Sequence, residues 1–462
     1  MTRGEVWTVS GAGYAGKPRP AVTVQDDRLS ARAAAMLAVA GSCGIRRDPA
    51  TVATGDTSPQ PLPQVMMNPI ARRVFTPGAG SLPPALTGRQ REESVFLSCL
   101  ADLAGGKAPP HDVVLTGPRG NGKTTLLNWF ERKCRAGNGG VDVVRLTPSR
   151  VRTEKALVDA LVPAAGLRKL LPAKWGIAGI GTAEWSTATP SAQLLTERLI
   201  ARCRARALVV LLDEAHTLDP GVGQLLLNVS QEVRADAPFL LVLAGTPGLS
   251  AHLGAMDATF WNRLGKGRLG IGRLNAAAAR EALEKPLIAH GSRIDRDALD
   301  VAVAESHGYP YFIQLWGEAL WDRRLETGAD RLAFSDADAV RLVVAARVTD
   351  YYEDRFLELD QSGWLVVAKQ VGARFRSAPT LTYEALKVAI GEGLALEPDR
   401  GSVLDGLAAL ERLGFVWRPP GQSPPARYEP GIPSLMGYVL EHHAPPVAGD
   451  DERGAPASRS VQ

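Results

Sequence analysis

The chain has 462 residues, enough for two or three domains, and is 45% hydrophobic and 22% charged, an ordinary globular composition. Its formal net charge of +4, from 53 basic and 49 acidic residues, is mildly basic and does not by itself demand nucleic acid. Cys43, Cys99, Cys134 and Cys203 are scattered without a C-x-x-C pair, which argues against a disulfide framework or a zinc site and for a reducing cytoplasm. No signal peptide and no apolar run of membrane-spanning length is found, so no membrane partner is expected.

The chain opens with "RGEVWTVSGAGYAGKPRPAVTVQDDR", which reads as strand, glycine loop, strand. Residues 1–28 resemble the N-terminal fragment of MazF/PemK toxins, and the resemblance implies a catalytic-type arginine at Arg19. After Leu29 the pattern stops, and no counterpart of the toxin's later strand or catalytic threonine follows. About thirty residues cannot bury a core of their own. The stretch is therefore read as a relic, a fusion scar or a misassigned start, with Met66 or Met67 as the alternative first residue. Residues 29–67 are expected to be a low-order linker.

A proline- and glycine-rich lead, "FTPGAGSLPPALTGRQREE", then enters a helix. Next comes "HDVVLTGPRGNGKTTLLNWFERKC": an apolar strand, a G-x-x-x-x-G-K-T loop and an amphipathic helix. A glycine loop between strand and helix turns backbone N–H groups onto an anion, and the helix N-terminus adds partial positive charge. Gly117, Pro118, Arg119, Gly120, Asn121, Gly122, Lys123, Thr124 and Thr125 form the expected cradle. Lys123 is assigned to the β- and γ-phosphates of ATP and Thr124 to Mg2+.

"VDVVRL" reads as a second strand, "RTEKALVDALVPAAGL" as a helix, "KWGIAGIGTAEWST" as a hairpin or loop, and "PSAQLLTERLIARCRAR" as a helix opened by Pro190. "ALVVLLDEAHTL" supplies a buried strand ending in two carboxylates. Asp213 is placed to hold Mg2+, directly or through water, and Glu214 to polarise the attacking water as general base. A helix follows, then the strand "PFLLVLAGTP" ending at Thr246. Alternating strands and helices predict an α/β fold built on a parallel sheet.

Downstream, "NAAAAREALEKPLIAHG", "DRDALDVAVAESHG" and "YPYFIQLWGEALWDRRLE" are helical. Tyr309, Tyr311, Phe312, Trp316 and Trp321 fall at helical spacing, which favours a core face over a base-stacking one. "LELDQSGWLVVAKQVGARF", "TYEALKVAIGEGL" and "RGSVLDGLAALERLGFV" read as three helices, followed by strand, proline-rich turn, strand and helix. Three helices and a two-stranded wing predict a winged helix over 346–443. The tail, 444–462, is expected to be disordered.

Together, Gly88, Arg89 and Glu92 of a GR-x-x-E lead-in, the "GPRGNGKT" loop, "LLDEAH", "AGTPGL" and "GYPYFIQ" make residues 68–443 resemble AAA+ P-loop ATPases of the origin-recognition and archaeal-ATPase-like group. The resemblance implies a nucleotide core over 68–274 and a helical lid over 275–345. It implies slow ATP hydrolysis with Mg2+. It places Thr246 at the sensor-1 position, though a loop threonine equally caps a helix. Arg263 is either an arginine finger offered to a neighbouring subunit or a salt-bridging surface residue. Double-stranded DNA, a homo-oligomer and unidentified proteins are the implied partners. The lid reads Gly308, Tyr309, Pro310 where a sensor-2 arginine is expected, a pattern resembling STAND signalling ATPases. Two outputs stay open: a DNA-associated switch, or a signalling or scaffolding ATPase whose winged helix is structural. The candidate recognition helix carries Arg400 and Arg412 beside Asp399, Asp405 and Glu411, an acidic balance for a DNA reader, while Arg418 and Arg427 sit on the wing. "DEAH" alone suggests a helicase, but no second RecA-like strand–helix series follows.

Overall fold

The computed structural model describes residues 6–9, 19–22, 45–46, 73–78, 80–83, 85–137, 140–162, 192–395, 400–419 and 425–442. The hairpin reading over "KWGIAGIGTAEWST", Pro190, the tail and most of the toxin-like opening lie outside them. The chain divides into two units, residues 1–71 and 72–462.

In the first unit, β1 (Val6–Val9) pairs antiparallel with β2 (Arg19–Val22) and with β3 (Ile45–Arg46), giving the order β2-β1-β3. The third strand falls inside the stretch read as a linker, because the sequence offers only two residues there and no periodicity to read.

The second unit is centred on a five-stranded parallel sheet in the order β5-β6-β7-β4-β8. Its strands are β4 (Val113–Thr116), β5 (Val141–Leu146), β6 (Ala207–Leu212), β7 (Phe239–Gly245) and β8 (Arg268–Gly270). Strand alternation sends each side chain to one of two helix layers. Leu208, Val210 and Leu212 of β6, with Phe239, Leu241 and Leu243 of β7, pack against α3 (Glu154–Leu161), α4 (Ala192–Ala205), α5 (Pro220–Asp236) and α6 (Leu249–Met256). Val209, Leu211, Leu240, Val242 and Ala244 face α1 (Gln90–Ala104) and α2 (Lys123–Ala136). Both faces are buried, which explains the unbroken apolar runs in these strands. Cys99, Cys134 and Cys203 are free thiols in these layers, and burial pushes them up to about 11, 12 and 12, so they are inert packing residues. Between α6 and β8 lies the short α7 (Phe260–Arg263).

The helical remainder comprises α8 (Ala276–Ala289), α9 (Arg296–Glu305), α10 (Pro310–Thr327), α11 (Phe334–Gln361), α12 (Leu365–Ser377), α13 (Tyr383–Leu394), α14 (Arg400–Arg412) and α15 (Leu435–Glu441). Strands β9 (Arg293–Ile294) and β10 (Arg331–Leu332) pair with each other. β11 (Leu381–Thr382), β12 (Val416–Trp417) and β13 (Arg427–Pro430) form a small antiparallel sheet in the order β11-β13-β12. Tyr309, Phe312, Trp316 and Trp321 are buried, as their spacing suggests.

The structure differs from the sequence reading at one joint. "LELDQSGWLVVAKQVGARF" is not one helix: Gly363 takes φ +76°, so α11 ends at Gln361 and α12 begins at Leu365. α11 is a single 28-residue helix running across residue 345, and one apolar cluster extends from Leu283 and Trp316 through Phe356 to Val439. The lid helices and the C-terminal helices therefore share a core.

Candidate functional site

β4, β6 and β7 are neighbours, so their C-terminal ends bring the glycine loop, Asp213–Glu214 and Thr246 to one edge of the sheet. Gly117 N–H donates to Gly245 O at 3.3 Å, and Ile271 N–H to Thr116 O at 2.7 Å, which locks the loop between β7 and the segment after β8. Gly120 and Gly122 adopt φ +78° and +88°. At Gly120 there is also no room: a Cβ would lie 2.6 Å from Tyr309 Oη. That Tyr309 hydroxyl donates to Arg119 O and lies 3.2 Å from Tyr351 Oη, so the lid fastens onto the loop through a fully buried phenol.

A cavity of about 340 Å³ opens beside the loop. One wall is Arg119 to Thr125 with Glu214; the other is the lid, through Pro310, Ile313 and Gln314, with Tyr351 and Arg355 of α11. The lead segment closes it. Phe75 is buried against α10, Thr76 N–H donates to Gln314 Oε1 at 3.1 Å, and Thr125 Oγ1 donates to Ser81 O at 3.3 Å. Arg89 is buried and braces the loop from behind, donating to Asn121 O at 3.0 Å and Gly272 O at 2.7 Å. Burial lowers its pKa, and Glu92 acts against that.

Lys123 Nζ donates to Gly117 O and Pro118 O, both at 2.8 Å. Burial brings it down to about 8, with Glu214 and Asp213 opposing and Arg119 reinforcing the fall. An ammonium on two neutral carbonyls in a buried site is undercompensated, which is the condition of a group awaiting an anion. Asp213 pairs with Arg145 of β5 at 2.7 Å, and its other oxygen accepts from Glu214 N–H at 3.1 Å. Glu214 has φ +51°, a left-handed conformation unusual for a non-glycine residue, and its side chain is half exposed toward the cavity.

His216 organises this end of the sheet. Thr246 N–H donates to its Nδ1 at 3.4 Å, so in the neutral ring Nε2 carries the proton, and Nε2 lies 3.5 Å from Glu214 Oε2. Burial, then Lys123 and Arg119, push His216 down to about 4. Thr246 Oγ1 and Asn121 Oδ1 are buried and have no hydrogen-bond partner among the described residues. Buried polar atoms are seldom left unbonded; of these two residues Asn121 lines the cavity and Thr246 does not.

Arg263 lies outside the cavity walls. It pairs with Asp257 at 2.7 Å and stands over the Phe260 ring at 5.7 Å. The structure thus gathers Arg119 to Thr125 with Glu214 around one cavity, leaves Gly117, Pro118, Asp213 and Thr246 off its walls at the same end of the sheet, and holds Arg263 on its own helix turn. Arg145, His216, Tyr309, Tyr351, Arg355 and the lead-segment wall are the contributors that motif reading missed. Two of them carried a signal: Arg145 interrupts an apolar strand, and His216 stands two residues past the carboxylate pair.

Fold and site together define an α/β core in which a parallel sheet carries a glycine loop and a cavity at one edge. Residues 112–253 match the family model described as an AAA domain, and that stretch contains the loop, Asp213, Glu214 and Thr246. No curated protein matches the chain by sequence. Among solved structures it is similar to the Aeropyrum pernix ORC2 protein in its ADPNP–ADP complexes, with 14% identity, TM-score 0.48, and coverage of 80% of this chain and 97% of that one. It is also similar to a Walker-type ATPase of Pyrococcus abyssi (14%, TM-score 0.49, 79% and 99%) and to the Thermotoga maritima RuvB Holliday junction branch migration motor (18%, TM-score 0.41, 78% and 96%).

Proposed function

We propose that the chain is an ATP-driven switch that binds ATP with Mg2+ in the cavity beside the glycine loop and hydrolyses it slowly. The observation that carries this reading is the undercompensated Lys123 facing a cavity shared with Glu214, beside two buried polar atoms without partners. Bound MgATP would supply the phosphoanhydride to be cleaved. Gly117 to Gly122 offer backbone N–H groups to phosphate oxygens, and Lys123 leaves its two carbonyls for them. Thr124 has the hydroxyl that suits Mg2+. Asp213, already engaged by Arg145 and the Glu214 N–H, suits contact with the ion through water. Glu214, oriented by His216, accepts the proton of the attacking water, and Thr246 holds the far side of the phosphate end.

We read the C-terminal order α12, β11, α13, α14, β12, β13 as a winged helix. Its surface supports the signalling or scaffolding output over DNA reading. Val403, Leu407 and Leu410 of α14 are buried, while Leu404, Asp405, Ala408 and Arg412 are exposed, a face with one cation among the described side chains. Arg418 is engaged by Tyr428 and by Glu411. The DNA reading rests on the element order alone. Fluorescence anisotropy with a labelled duplex at two salt concentrations separates them: affinity that falls steeply with salt establishes DNA as partner, and none establishes the structural role. An assembling ATPase that uses Arg263 in trans would show turnover per chain rising with protein concentration and losing that rise in Arg263→Ala. A flat rate sinks the finger and leaves Arg263 as the Asp257 partner.

A further inference from the structure

One carboxylate bridges two cations that line the cavity. Arg119 of the glycine loop and Arg355 of α11 both line the cavity, and both pair with the same carboxylate, Glu358, at 3.4 and 2.6 Å. Arg355 also stands over the Tyr351 ring at 5.6 Å, and its Nε is buried and without a hydrogen-bond partner among the described residues. Two guanidinium groups on opposite walls thus share one carboxylate. Arg119 is close enough to Lys123 and His216 to act on both electrostatically, which sets the trio at the end where Glu214 stands. Arg119 and Glu358 side chains are more than a third exposed, so their pair is weakly held and exchangeable.

The geometry points to a latch in which Glu358 occupies, in the nucleotide-free protein, the place of the terminal phosphate of a nucleoside triphosphate, and gives up Arg355 and Arg119 when that phosphate arrives. It rests on the reading of the cavity as a nucleotide site. A dianionic phosphate offers these planar donors more charge and more acceptor oxygens than a single carboxylate. The exchange matters beyond the cavity because Arg355 and Glu358 share their helix with Tyr352 and Phe356. Tyr352 donates to Pro433 O at 2.6 Å, and both rings pack on Tyr438 of α15. Release of Glu358 therefore frees one face of α11 while its other face stays seated in the C-terminal helices. The latch makes the protein selective for triphosphate over diphosphate, with the C-terminal unit as the element that feels the difference.

The test is titration of the full chain, its Arg355→Gln, Arg355→Lys and Glu358→Gln variants, and Lys123→Ala, with MgATP and with MgADP by calorimetry. Arg355→Gln should weaken ATP binding about 10-fold or more, as expected for loss of a charge-assisted contact, and leave ADP binding within about 2-fold. Arg355→Lys should recover part of the loss. Glu358→Gln should tighten ATP binding several-fold, since it removes the competing anion; a purely structural ion pair would instead give a loss or no change. If Arg355→Gln fails to fold, the sign of the Glu358→Gln effect decides alone. Equal effects on ATP and ADP, or weaker ATP binding in Glu358→Gln, overturn the latch and leave the nucleotide site standing. A parent protein that binds neither nucleotide overturns the site and the latch with it.

Discussion

The end of the parallel sheet and the C-terminal helices handle their polar residues in opposite ways. At the sheet end, Lys123 rests on neutral carbonyls, Thr246 Oγ1 and Asn121 Oδ1 bond to nothing described, and Glu214 is held in a left-handed conformation. Among the C-terminal helices most polar groups find one another: Arg418 serves Tyr428 and Glu411, Arg374 pairs with Glu392, and Arg273 reaches Glu429 at 3.5 Å. Among the described residues the first region leaves side-chain atoms of Asn121, Arg145 and Thr246 buried and unbonded, and the second only Arg355 Nε. Unsatisfied groups persist where binding later satisfies them, so the comparison makes the sheet end the place to test for binding.

The comparison breaks most readily at the two glutamates. Glu214→Gln should lower ATP turnover by about 100- to 10,000-fold with ATP affinity retained, whereas Glu411→Gln should leave turnover unchanged. Phosphate-release kinetics beside a binding titration read both, and equal losses would erase the distinction. Lys123→Ala should come next, weakening ATP binding by about 10- to 100-fold; parent-like affinity would refute the loop assignment. Gly120→Ala combines a φ of +78° with a Cβ 2.6 Å from Tyr309 Oη, and should cost roughly 1–3 kcal/mol of stability, read as a lower melting temperature together with weaker ATP binding. A parent-like Tm would mean that the lid does not seat on the loop.

The smallest effect concerns pH. His216 is pushed down to about 4 from 6.5, so the folded core binds fewer protons than the unfolded chain. Its contribution is present above about pH 6.5 and is lost as pH falls toward 4. Glu411 is pushed up to about 7 from 4.5, chiefly by burial, so its contribution is present below about pH 4.5 and is lost as pH rises through 7. The two regions therefore respond to acid with opposite signs. In Tm against pH, His216→Asn should flatten the acid-side loss and Glu411→Gln the loss between pH 5 and 8. Variants that keep the parent slopes would show that these groups do not carry the dependence.

The strands of the sheet and the glycine loop between strand and helix were legible because their signals are local. Unbroken apolar runs mark strands buried on both faces, and the glycine spacing marks a tight loop of the kind that suits an anion. The other walls of the cavity were not legible. Arg119 meets Glu358 across 239 residues, Tyr309 meets Arg119 across 190, and Thr76 meets Gln314 across 238. No periodicity links such positions. The proline-rich lead looked like a connector, yet Phe75 has no exposed surface to speak of and a side chain at Gly317 would collide with its ring. The same limit hid the continuity of α11: a reading by pattern placed a domain boundary at 345, where Val344 and Val348 pack into a core common to both sides.

That common core has a mechanical consequence. Because α11 runs unbroken across residue 345, the helices on its two sides are held in one packed core. The chain passes from the sheet to these helices at residues 271–275. There the chain leaves the sheet, Gly272 O is held by Arg89, and Leu274 N–H donates to the carbonyl of Gly308, whose φ of +67° lets the two backbones touch. Arg89 grips the glycine loop and this joint with the same guanidinium group. The passage from sheet to helices is thus tied to the glycine loop through one side chain, so a shift of either cannot leave the other's hydrogen bonds unchanged.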